Sequence, residues 1–65
     1  MTLDDLKKEY GNGNKFEIET GLSHTNWFHW FKKYGFIPIH SQLRIEQITK
    51  GKLKASLDDI PTRGI

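Results

Sequence analysis

The sequence predicts an all-α domain, a small bundle of four or five short helices. Two observations carry that expectation. Apolar residues recur at the three- and four-residue spacing of a helix face, and a residue suited to starting a helix stands before each run (Thr2, Asn14, Ser23, Pro38). The runs stop at Gly11, Gly21, Gly35 and Gly51, where the chain can leave a helix with a left-handed residue.

The elements follow in order. Thr2 caps a first helix of about residues 2–10, with Asp5 completing a capping box in the manner of the longer acids. Leu3, Leu6 and Tyr10 give it an apolar side, and Gly11-Asn12-Gly13 reads as a turn. Asn14 is the expected cap of a second helix ending at Gly21, although the alternation of Phe16, Ile18 and Thr20 leaves a strand as the rival assignment. Ser23 caps a third helix of about His24 to Lys33, whose Trp27, Trp30 and Phe31 form one stripe and whose last turn carries Lys32 and Lys33. Pro38 opens a fourth helix of about residues 39–50 containing Leu43, Ile45 and Ile48. Leu53, Leu57 and Ile60 are expected to pack back through a strand-like segment or a last helical turn, Pro61 stops it, and about 61–65 should fray.

With 65 residues the chain has room for one domain, and the eight aromatic residues must supply much of its core. The absence of cysteine excludes disulfides and thiolate metal sites. MTLDDLKKEY lacks the pattern of a signal peptide, and no apolar run is long enough to span a bilayer, so a cytoplasmic location is expected, with no membrane partner.

Charge is unevenly distributed. Residues 1–22 sum to −2, residues 23–55 to +5 and residues 56–65 to −1, within a net charge of +2. A basic centre between acidic ends suits a polyanion-binding face as well as it suits a solvated lysine surface.

The window from Asn14 to Lys33 has the plan of a helix-turn-helix: a short helix, a turn glycine (Gly21), an apolar plug (Leu22), a cap (Ser23) and a second helix. Trp27 and Trp30 would hold that second helix to the body and leave its opposite face free. That face carries His24, Thr25, Asn26 and His29, all able to hydrogen-bond base edges in a major groove. Asn26 is the best single candidate, because its amide can pair with adenine through two bonds.

The string GLSHTNWFHW, with the helix before it and IPIHSQLRIEQITKGKL after it, resembles the Cro-type repressors of lambdoid phages, closest to their all-helical branch. The matched positions are Tyr10-Gly11, Gly21-Leu22-Ser23, Trp30, Ile37-Pro38, and then Arg44, Ile45, Glu46, Thr49 and Gly51, over roughly residues 3–60. The resemblance implies a lambda-repressor-like fold and a repressor that acts by occupying operator DNA. Three positions depart from the family pattern. Glu17, or Phe16 or Ile18 if the register shifts, stands where a small residue usually lets the two helices cross closely, Thr20 where a large apolar one precedes the turn glycine, and Trp27 where a β-branched one is usual.

Taken together, Ser23, His24, Thr25, Asn26, Phe28 and His29 are the candidates for base contact, with Phe28 either meeting a thymine methyl or lying on the surface or in a dimer contact. Asn12, Asn14, Lys15, Lys32, Lys33 and Arg44 are the candidates for phosphate contact. The expected partner is double-stranded operator DNA, bound by a weak homodimer or one that forms on the DNA. A protein-binding module, such as an antitoxin or inhibitor on the same scaffold, is the alternative, and the aromatic excess is its support. No cofactor, metal or small-molecule substrate is expected: His24, His29 and His40 lack ligand spacing, and no nucleophile–base pairing is recognisable, so the chain is not read as an enzyme.

Overall fold

Thr2 opens the first helix as its sequence demands. Its hydroxyl accepts from the Asp5 main-chain N–H at 3.1 Å, and the Asp5 carboxylate accepts from the Thr2 N–H at 2.9 Å. From this capping box α1 (Leu3–Tyr10) runs to Gly11, whose positive φ of 90° lets its N–H reach back to the Lys7 carbonyl. The computed structural model describes residues 1–60 and contains α1, α2 (Gly13–Thr20), α3 (His24–His29) and α4 (Ile39–Ile48), with no strand among the described residues. The tail expected to fray, residues 61–65, lies outside them.

The second helix begins two residues earlier than its sequence suggests. Asn12 is the cap: its backbone is extended and its side-chain oxygen accepts from the Lys15 N–H at 2.8 Å. Asn14 lies inside the first turn and caps nothing. The strand alternative fails because residues two apart on a helix point to nearly opposite sides. Phe16 is fully buried while Ile18 is 81% exposed, so only one of the alternating residues belongs to the core.

Gly21 closes α2 in the left-handed region (φ 79°), with its N–H on the Glu17 carbonyl at 2.9 Å. Thr20 serves the turn rather than the core. Its hydroxyl donates to the Phe16 carbonyl at 2.7 Å and accepts from the Leu22 N–H at 3.1 Å, so one side chain holds both ends of the turn.

The third helix is not α-helical to its end. After His29 the chain widens into a π-turn, Trp30–Tyr34, closed by Gly35 at φ 77° with its N–H on the Trp30 carbonyl at 2.8 Å. Pro38 then caps α4, which stops at Ile48, short of the expected residue 50. Thr49 ends it by donating to the Ile45 carbonyl (2.9 Å) and accepting from the Leu53 N–H (3.1 Å).

Residues 52–60 are neither strand nor full helix. They run irregularly to a single 3₁₀ turn, Leu57–Asp59, whose cap is Ser56. Leu53 packs on the core as expected, but Leu57 is 72% exposed and does not. Polar anchors hold the segment instead. The Glu46 carboxylate accepts from the Ala55 N–H at 2.7 Å. Gln42, fully buried, accepts from the Ser56 N–H (2.9 Å) and from the Met1 ammonium (3.0 Å), and donates to the Ile37 carbonyl (2.9 Å). The ammonium also reaches the Lys54 carbonyl at 2.7 Å and the Asp59 carboxylate at 2.9 Å.

Met1, Leu6, Tyr10, Phe16, Trp30, Ile37 and Ile45 form the buried core, with Leu3, Leu22, Trp27, Phe31 and Leu53 packed against it. Phe16 is the junction of three helices: its ring lies 5.3 Å from Tyr10, 5.4 Å from Trp27 and 5.7 Å from Trp30. The pairs with Tyr10 and Trp30 are edge-on, and such pairs add about 0.5–1.5 kcal/mol each beyond the burial of area.

Candidate nucleic-acid interface

The aromatic stripe decides which side of α3 faces solvent. Trp30 is 3% exposed, and Trp27 is half-buried between Phe16 and Phe31, the latter stacked on it at 4.6 Å. At 100° per residue, Thr25 and His29 then lie on the side of α3 opposite the stripe, where Thr25 is exposed and His29 is half-buried. His24 and Phe28 flank them on one side and Asn26 on the other.

The site residues separate into two groups along this helix. His24, Thr25 and Phe28 line one shallow depression, and the Lys32 ammonium lies 5.6 Å from the centre of the Phe28 ring. Asn26 lies on the far flank, in a cleft bordered by Leu22, Trp30, His40, Ser41 and Arg44. His29 is half-buried, with its ring 6.4 Å from Tyr34, and is the least accessible of the candidates. Ser23, His24, Thr25 and Asn26 are all exposed, and Phe28 is 58% exposed.

Each end of α3 is prepared differently. At its start the Ser23 hydroxyl accepts from the Thr25 N–H at 3.2 Å, and Glu17 of α2 adds a second cap: its Oε1 accepts from the His24 main-chain N–H at 2.8 Å and meets the His24 ring Nδ1 at 2.5 Å. The main-chain bond, then the ring bond, holds the Glu17 carboxyl below its ordinary range. Beyond its end lie Lys32 and Lys33, both exposed.

The candidates for phosphate contact are not all equally free. Lys15 pairs with Glu19 at 3.8 Å, and the Asn12 oxygen is spent on its cap. Among the described residues no carboxylate lies within ion-pairing distance of Lys32, Lys33 or Arg44. No family model, curated protein or solved structure matches this chain.

Two features of this face escape the sequence. Glu17, which departs from the family pattern, is not at the helix crossing at all; it is an exposed clamp between α2 and α3. The close approach falls at Gly13, where a Cβ would stand 3.2 Å from the Trp27 ring. His40 and Ser41 join Asn26 and Arg44 in the cleft, and only their helical spacing from Arg44 could have signalled it. The three histidines do not converge, and no group of metal-binding side chains forms among the described residues. Nor is any helix there long and apolar enough to cross a membrane.

Proposed function

We propose that the chain is a sequence-specific repressor that binds duplex DNA through α3. One observation carries the proposal: the polar first turn of α3 is exposed, Arg44 borders the cleft that holds Asn26, and Lys32 and Lys33 follow the end of the helix, all three cations without a carboxylate partner among the described residues. A helix of this width fits the major groove, where Ser23, His24, Thr25 and Asn26 would meet base edges while the cations meet phosphate. With Gly21 as its turn, the α2–α3 pair serves as a helix-turn-helix, and the resemblance to Cro-type repressors gives the same role. Repression then follows by occupancy, since a protein on an operator that overlaps a promoter excludes polymerase.

The test is a salt series with two variants. Affinity for operator DNA should fall steeply with salt, because each phosphate contact releases counterions. Asn26→Ala should relax preference at one base position by about 5- to 100-fold, whereas Lys32→Ala should weaken all sequences alike and flatten the salt slope by about one unit. A response to salt that is flat on every duplex sinks the proposal. In that event the exposed Phe28 favours a protein partner for the same face.

A further inference from the structure

The contact between Glu17 and His24 places a carboxylate on the face that enters DNA, where negative charge is least expected. Its geometry gives it a use. An ionised carboxylate has no hydrogen to donate. Both the main-chain N–H and the ring Nδ1 of His24 converge on the same Oε1, at 2.8 Å and 2.5 Å, and the first of these bonds favours the ionised carboxyl. The hydrogen in the ring contact therefore sits on Nδ1. That leaves Nε2 as the free ring nitrogen, and on a neutral ring it can only accept. The second carboxylate oxygen can only accept as well. Nearby, Thr25 and Phe28 line the same depression without charge, and the neighbouring Lys15 and Glu19 are engaged with each other.

Base edges in the major groove divide on this chemistry. Cytosine and adenine present an exocyclic amine, a donor, while guanine presents two acceptors, O6 and N7. We infer that Glu17 is a specificity-determining residue: by holding the ring hydrogen of His24 on Nδ1, it makes the first residue of α3 an acceptor that selects a base presenting an exocyclic amine in the major groove and rejects guanine, which presents only acceptors there. The inference rests on the reading of α3 as the DNA-facing helix. Glu17 acts through His24 and is a positioning residue.

Two measurements at pH 8, above the ordinary histidine range, test it. Nitrogen NMR of the imidazole in the free protein should show His24 as the Nδ1–H tautomer, reverting to the Nε2–H form in Glu17→Ala. Selection from a random duplex pool should then be run on the wild type, His24→Ala, Glu17→Ala and Glu17→Gln. The base position whose preference disappears in His24→Ala should favour cytosine or adenine over guanine by about tenfold or more in the wild type. In Glu17→Ala guanine should rise to near parity. Glu17→Gln keeps an acceptor for the helix start but no charge, so it stays folded and should lose several-fold of the discrimination even if the alanine variant does not fold. An Nε2–H ring in the wild type, guanine at that position, no position that responds to His24→Ala, or a preference unchanged by both Glu17 variants overturns the inference. A wild type with the Nδ1–H ring that selects no sequence overturns the DNA reading instead, and the specificity role with it.

Discussion

Gly13 is the residue on which the approach of α2 to α3 depends. A Cβ there would lie 3.2 and 3.3 Å from two atoms of the Trp27 ring, and that ring is held by Phe16 on one side and by Phe31 on the other. Alanine in place of Gly13 would gain up to about 1 kcal/mol of helix propensity, but overpacking against a ring that cannot retreat costs about 1–3 kcal/mol. Gly13→Ala should therefore destabilise the protein by about 1 kcal/mol in urea denaturation, the difference between those two effects, and a stabilised variant would show that Trp27 is free to move. Gln42 is the opposite case, a buried polar side chain whose oxygen and nitrogen are both engaged. Gln42→Leu keeps the volume but strips partners from the Met1 ammonium, the Ser56 N–H and the Ile37 carbonyl. With about 1–3 kcal/mol for each orphaned group that water cannot reach, a loss of about 3 kcal/mol is expected, most of what a core this small supplies. Thermal melting checks it: the transition should fall sharply or vanish. Neither residue announces its role in sequence. Glycine and glutamine are read by local chemistry, while Gly13 meets Trp27 and Gln42 meets Ser56 and Met1, partners far along the chain.

At the scale of elements, local signals were legible and shared ones were not. Capping box, turn glycines and aromatic stripe each lie within a few residues, so α1, α3 and the Gly21 turn could be placed from the sequence. The Asn12 cap and the Ser56 cap are local too, but Asn12 competes with Asn14 two residues on, and the π-turn leaves no mark in the sequence. The stripe of Trp27, Trp30 and Phe31 has ordinary helical spacing, but the π-turn that begins at Trp30 and closes on Gly35 is not encoded in that periodicity. The clamp at the start of α3 is shared between α2 and α3 and makes a testable claim about pH. The ordinary value for a glutamate is 4.5, and Glu17 is lowered from it by the His24 bonds. A carboxyl lowered on folding contributes stability that is present above its unfolded value and lost as pH falls through the folded one. Asp5 has the same sign, chiefly through the Thr2 N–H. Stability carried by Glu17 should thus hold from neutrality to about pH 4.5 and decline below it. Glu17→Gln should lower the urea midpoint at pH 7 and reduce its fall between about pH 5 and pH 3, so the two curves converge in acid. Curves that coincide at every pH would show that the clamp contributes nothing to folding, and parallel curves with a constant offset would show that its ionisation contributes nothing.

The molecule measures 37 × 25 × 18 Å, and if α3 enters a groove as proposed, a single copy reaches only a few base pairs. A specific repressor of this size needs a second copy. The sequence does not locate that interface, because exposure is a property of the folded surface: Leu43 is 52% exposed on α4, whereas Phe36 and Ile39 are half-buried. Isolated apolar residues of this kind do not make a large patch, which fits a dimer assembled on DNA better than one stable in solution. Two α3 helices related by a two-fold axis would enter successive major grooves on one side of the duplex, about 10 base pairs apart. Inserting about 5 base pairs between the half-sites rotates the second by half a turn, beyond reach of a partner anchored on the first. Affinity should then drop by about 100-fold or more, to that of an isolated half-site, because binding of the second copy is no longer helped by the first. Leu43→Glu should produce a similar loss on the unmodified operator while leaving the helical circular dichroism and half-site binding intact, if α4 forms the contact. Equal affinity for the native and the spaced operator, measured by titration on labelled duplexes, would mean that the protein reads DNA as a monomer.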